Sequence, residues 1–182
     1  MVQYCLLFLL SSFMTESATS FKIDFGTQKS GQTWRVINDG VMGGLSQAQA
    51  RLTDNSVLYR GEISLDNNGG FSSLRSPYAR FNFADFETVT IRFKSKGPTF
   101  GFTLETSSYF YQPYYKTVLN SEGDDWQTIK VKLTDFKQYQ LGRPSGERLS
   151  PADLSRIIRI GFINHDKVAK PFELEIDYIL FE

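Results

Sequence analysis

Hydrophobic and polar positions alternate along this chain in short runs, broken by glycine, proline, asparagine and aspartate. Residues 21–25 (FKIDF), 57–65 (VLYRGEISL), 88–93 (TVTIRF), 99–104 (TFGFTL) and 126–133 (WQTIKVKL) each change character residue by residue. A period of two is that of a strand with one face buried. Two further runs, 157–164 (IIRIGFIN) and 172–181 (FELEIDYILF), predict strands that close the chain as an antiparallel pair. Helix signals meet once, over 150–155 (SPADLS), where serine caps and proline takes the first helical position. The longest irregular stretch, 137–147, is rich in glycine, proline and arginine and reads as a loop shaping one end of the fold. Together these elements predict an all-β antiparallel sandwich with at most one or two short helices.

Composition narrows the function classes. A chain of 182 residues supports one domain, here 21–182, since a domain of about 150 residues buries roughly 70% of its unfolded surface. Its 15% aromatic share suits a pleated surface. Twenty basic residues balance twenty acidic ones, which leaves no overall basic field for a polyanion and makes nucleic acid a poor partner. Cys5 is the only cysteine, so neither an intrachain disulfide nor a thiolate metal cluster can form. Residues 4–14 (YCLLFLLSSFM) are apolar and are followed by the small-x-small pair Ala18 and Ser20, the pattern of a secretory leader over 1–20. Met1, Val2 and Gln3 lack the positive charge of a standard leader, so an uncleaved anchor, a misassigned start and a buried first strand stay open. The run is shorter than the about 20 residues of an ordinary membrane span, and no stable transmembrane span is expected. Cleavage would place the domain outside the cytoplasm, periplasmic or extracellular. A retained leader would place it in the cytoplasm or at the inner membrane.

Candidate recognition residues cluster in two glycine-rich blocks, 34–46 (WRVINDGVMGGLS) and 65–75 (LDNNGGFSSLR). Asn, Asp and Gly tolerate positive φ and make tight, shaped loops. If the blocks lie side by side, Asn38, Asp39, Met42 and Ser46 with Asn67, Asn68 and Arg75 form a ligand-facing shelf. The alternative is that the glycines shape turns and the polar side chains cap their own backbone. A second candidate is the aromatic run 109–115 (YFYQPYY), whose alternate rings reach both faces of a strand. Tyr109, Tyr111 and Tyr114, and Trp34 from the first block, could stack on the apolar face of a sugar; the alternative is core and rim packing.

Catalytic chemistry finds little support. His165 is the only histidine, and no Gly-x-Ser-x-Gly elbow or cysteine nucleophile accompanies it in the domain. One histidine and one cysteine do not make a usual zinc set. Asp24 in the first strand and Asp177 in the last could share a structural calcium through oxygen ligands, although no acidic cluster surrounds either. Carboxylate pairs for glycoside hydrolysis can be drawn among Glu62, Asp66 and Glu105, but the chain does not set their separation. No cofactor and no enzyme activity are expected.

The two glycine blocks, with Trp126, 133–136 (LTDF), Gly142-Arg143, 160–162 (IGF) and 171–176 (PFELEI) following in order, resemble the complex I intermediate-associated protein 30 family. The resemblance covers roughly residues 21–181. It implies a galactose-binding-like jelly roll and a non-enzymatic chaperone role in respiratory complex I assembly, with a protein partner such as an assembly intermediate or membrane-complex subunit. Where that family often has Asp-Gly-Arg before an aromatic, this chain has Gly97-Pro98-Thr99-Phe100. The second function class is an exported carbohydrate-binding domain.

Overall fold

The computed structural model describes residues 20–182; the predicted leader, Cys5 included, lies outside them except for Ser20. Strands β1 (Phe21–Asp24), β3 (Gln47–Leu52), β4 (Val57–Glu62), β6 (Thr88–Lys96), β9 (Gln127–Lys132) and β13 (Pro171–Phe181) form a six-stranded sheet. Its order is β3-β4-β13-β6-β9, with β1 paired to the end of β13. Strands β2 (Arg35–Asn38), β5 (Ser72–Arg75), β7 (Phe100–Glu105), β8 (Tyr114–Leu119), β10 (Lys137–Gln140), β11 (Arg143–Arg148) and β12 (Arg159–Asn164) form a seven-stranded sheet, order β11-β10-β8-β7-β12-β5-β2. All pairings are antiparallel.

Alternation sets which side chains meet between the sheets. Phe100, Phe102 and Leu104 of β7 with Ile160 and Phe162 of β12 point inward toward Val89, Ile91 and Phe93 of β6 and Ile176, Ile179 and Phe181 of β13, all at most 1% exposed. Full burial of such side chains is worth about 1.5–3 kcal/mol each. Phe83, on the connection between β5 and β6, stacks on Phe181 with ring centroids 4.0 Å apart and so closes one end of the core. The capped turn forms as expected: in α1 (Pro151–Leu154), Ser150 Oγ accepts from the Asp153 amide and Asp153 Oδ2 accepts from the Ser150 amide.

Two expectations are corrected. The last two strands do not pair, because β12 lies between β5 and β7 in one sheet while β13 lies in the other. The segment between them is an inter-sheet crossover. Residues 137–147 are not irregular either: β10 and β11 make a hairpin turning through Leu141 (φ 49°) and Gly142 (φ 78°). Every residue of β11 is exposed, so no buried face leaves an apolar alternation to read. Among the described residues, no helix is long and apolar enough to cross a membrane.

Candidate functional site

Both glycine blocks are crossovers at the same end of the sandwich, one leading from β2 to β3 and the other from β4 to β5. Asp39, 1% exposed, joins them. Its Oδ1 accepts from the Ser46 amide at 2.9 Å, and its Oδ2 accepts from Ser46 Oγ at 2.6 Å, the Gly70 amide at 2.7 Å and the Phe71 amide at 3.2 Å. Burial works against the charge, but these donors hold the carboxyl below the usual carboxylate range. The glycines follow from the same contact. A Cβ at Gly44 would fall on the Asp39 carboxylate, and one at Gly69 would lie 2.5 Å from Oδ2. Asn67 and Asn68 adopt left-handed φ of 54° and 59°, which asparagine tolerates, and Asn67 donates to the Gly43 carbonyl.

Beneath the loops runs a buried polar chain. Tyr59 donates to Ser72 Oγ at 2.6 Å, Ser72 donates to Asn38 Oδ1 at 2.6 Å, and Asn164 accepts from the Ser72 amide while donating to the Gly70 carbonyl. Asn38, Asp39, Ser46 and Asn67 therefore hold the loops together. Asp39 and Ser46 are buried and face no ligand, a correction to the shelf expected from sequence. Met42 does project, 71% exposed, beside Val41 at 74%, with Leu45 on the same loop and Leu65 on the joined one also exposed. Leu45 also lines a shallow groove of about 980 Å³ that continues along β3, β4 and β13 past Arg60 and Glu173.

The remaining candidates lie elsewhere. Trp34 is a core residue, 7% exposed and edge-on to Phe25 at 5.0 Å, so it offers no stacking surface. Arg75 sits at the far end of β5 from the glycine loops, on the outer face of the seven-stranded sheet. There its Nη1 lies 3.7 Å from Glu105, whose other oxygen takes Nε and Nη2 of Arg159 at 3.0 and 2.9 Å. Arg159 stacks on Tyr78 at 4.0 Å and donates to its hydroxyl, and Tyr78 reaches the Ser108 carbonyl on the 106–113 loop. That loop carries Tyr109 and Tyr111, exposed and stacked with centroids 5.5 Å apart. Tyr114 begins β8 and stacks with Tyr139 at 6.0 Å; burial, reinforced by Tyr139, pushes its phenol up to about 12. Lys116, 6% exposed, crosses Gly101 and sets its ammonium 4.0 Å above the Tyr139 ring; burial pulls it down to about 8.

Sequence reading missed Tyr78, Lys116, Tyr139 and Arg159 on this face. Alternation over 157–164 puts Arg159 off the core side of its strand, but Tyr78 lies on a connection and nothing local shows that these segments are neighbours. Asp24 and Asp177, the pair considered for calcium, each meet a cation: Lys22 at 2.9 Å and Arg92 at 3.1 Å. Among the described residues, no group of three or more His, Cys, Asp or Glu is placed to hold a metal ion.

Two antiparallel sheets wrapped in this order, with shaped crossovers at one end and an aromatic, charged outer face, define a galactose-binding-like jelly-roll domain. The chain belongs to the complex I intermediate-associated protein 30 family, whose sequence pattern matches residues 23–176. It is 26% identical over 167 residues to the mouse (Mus musculus) mitochondrial complex I intermediate-associated protein 30, covering 80% of this chain and 51% of that protein. The chain thus spans about half the length of this curated relative. Among solved structures it is similar to the family 11 carbohydrate-binding module of the cellulosomal cellulase Lic26A-Cel5E of Clostridium thermocellum (TM-score 0.64, 14% identity, 88% of this chain and 94% of that one). It is similar also to a Clostridium thermocellum family 11 module in complex with a β-1,3-1,4-mixed-linked tetrasaccharide (TM-score 0.61, 16% identity, 82% and 88%). At such identities the likeness establishes the fold.

Proposed function

We propose that this protein is a non-catalytic assembly module that holds a protein partner at its glycine-loop end. One observation carries the reading: Val41, Met42, Leu45 and Leu65 are exposed on loops that the buried Asp39 carboxylate ties together. Exposed apolar clusters mark interaction sites, and a clamped loop loses little entropy on binding. The groove at Leu45 extends that surface. Membership of a family named for a complex I intermediate supports a protein partner. A photo-crosslinking residue at Met42, in the native cell, should give one dominant adduct identified by mass, lost when Leu45→Asp is added. Absence of an adduct, or one insensitive to Leu45→Asp, would remove the reading.

The outer face of the seven-stranded sheet favours a second reading, carbohydrate binding. Tyr109 and Tyr111 present exposed, stacked rings near Tyr78 and Arg159, an aromatic surface next to hydrogen-bond donors. Pyranose rings offer the matching combination of an apolar C–H face and a hydroxyl rim. Loss of glycan binding on Tyr111→Ala is the expected result; a blank glycan array at millimolar ligand would refute it.

A further inference from the structure

Strand register places Arg35, Arg75, Gly161, Thr103, Lys116 and Lys137 side by side in one row across the seven-stranded sheet. Directly opposed residues share a face, and Arg75 and Lys116 lie on the outer one. Four cations stand in this row without an acid. The next row is Arg159, Glu105, Tyr114 and Tyr139, and its single carboxylate is already divided between Arg75 and Arg159. We infer that this face binds an acidic polysaccharide, with its carboxylates lying along the row from Arg35 to Lys137. The inference rests on the carbohydrate reading above and adds the charge of the ligand and the line it follows.

Like charges are directly opposed twice in the row, Arg35 to Arg75 and Lys116 to Lys137, and a third time where Lys137 meets Arg148 of β11, which itself pairs with Asp135. Such pairs destabilise a sheet. The six-stranded sheet avoids this: Lys22 meets Asp24 at 2.9 Å, Arg92 meets Asp177 at 3.1 Å, Lys94 meets Glu175 at 2.7 Å and Lys130 meets Glu182 at 2.6 Å. One chain of zero net charge therefore keeps like charges apart across the strands of one sheet and sets them opposite each other on the other. Among the described residues, Arg35, Lys116 and Lys137 have no carboxylate within 4.0 Å. Burying the Lys116 ammonium against Tyr139 is itself unfavourable, as its lowered pKa records. Arg75 commits Nε to Ser73 and one Nη loosely to Glu105, leaving part of its fork for a ligand carboxylate.

Geometry selects a glycan over an acidic peptide. At about 4.8 Å between strands the row spans roughly 24 Å, the reach of an oligomer. Its cations form two flanks, Arg35 and Arg75 on one side of Gly161 and Thr103 and Lys116 and Lys137 on the other. Rigid rings stand along one margin, Tyr114 on Tyr139 and Tyr109 on Tyr111. A sugar ring bearing a carboxylate answers the cations and the aromatic faces together.

Titration calorimetry with polygalacturonate and alginate oligosaccharides, neutral mixed-linkage β-glucan, and poly-glutamate of matched charge tests this. The acidic oligosaccharides should bind, more weakly as salt rises. Arg35→Gln with Lys137→Gln, both at exposed positions, should weaken that binding about tenfold or more while raising the melting temperature of the free protein. Binding of β-glucan alone would overturn the charge inference and leave the carbohydrate reading standing. No saccharide bound at all would end both. Poly-glutamate bound as tightly as polygalacturonate would overturn the assignment to a glycan, and a double variant that melts lower with unchanged affinity would overturn the role of the row.

Discussion

Asp39→Asn removes one charge from the junction of the two glycine crossovers and changes little else. In the folded protein Oδ2 accepts three hydrogen bonds and Oδ1 one, all from Ser46, Gly70 and Phe71. Asparagine can turn its oxygen toward the three donors, but its NH2 then meets the Ser46 amide donor to donor. One unsatisfied buried donor costs about 1–3 kcal/mol. Replacing three charge-assisted bonds with neutral ones costs about 1 kcal/mol each. Together about 4–6 kcal/mol should be lost, which for a domain of this size lowers the melting temperature by roughly 8–24 °C. Urea unfolding at pH 7 reads it as a lower midpoint with unchanged m. The sign of the pH dependence follows from the lowered folded pKa: the carboxylate stabilises fully above its unfolded value of about 3.9, and the contribution fades as pH falls through the folded value. The gap between wild type and variant should be flat from neutral pH to pH 5 and should close in acid. Gly44→Ala should be more harmful in wild type than in an Asp39→Ala background only if the Asp39 side chain is what a Cβ meets. A gap under about 1 kcal/mol at pH 7, or one unchanged down to pH 2, would refute the clamp.

Lys116→Met should stabilise the free protein by about 1–3 kcal/mol at pH 7, since it keeps the stem over Gly101 and removes a buried charge. Because the unfolded chain holds that proton more tightly, wild-type stability should climb between about pH 8 and 10.5, while the variant lacks this rise. A lower denaturation midpoint for the variant would count against it. Tyr59→Phe should cost about 1–2 kcal/mol in thermal unfolding by removing the buried donor to Ser72; no change would mean that the polar chain under the loops contributes nothing. Val41→Asp with Leu45→Asp should leave the midpoint within about 0.5 kcal/mol while abolishing the adduct formed from position 42, and a large loss of stability would show the tip to be packed rather than presented.

Much of the scaffold is legible in the residues. The alternation at 57–65, 88–93 and 99–104 becomes β4, β6 and β7 because a strand buried on one face has to repeat every second position. Ser150, Pro151 and Asp153 announce α1, since capping is local chemistry within one turn. Strand partners are not local. Nothing within 157–181 shows that its two strands enter different sheets, and the exposed strand β11 has no buried face to give it a pattern. Trp34 reads equally well as a stacking residue or a core residue until Phe25 and Phe162 are brought to it.

The sequence by itself determined the all-β class, the character of the two glycine blocks as shaped loops and the family to which the chain belongs. Each follows from order along the chain: periodicity, turn chemistry and motif spacing. Tertiary structure alone decided that those loops are tied to each other, because Asp39 meets Gly70 and Phe71 across 31 and 32 residues of chain. It also decided the charge. Twenty cations and twenty acids cancel in the sum. Yet Arg35, Arg75, Lys116 and Lys137, drawn from four strands, share one row, since a field depends on where charges lie in space and the chain total does not.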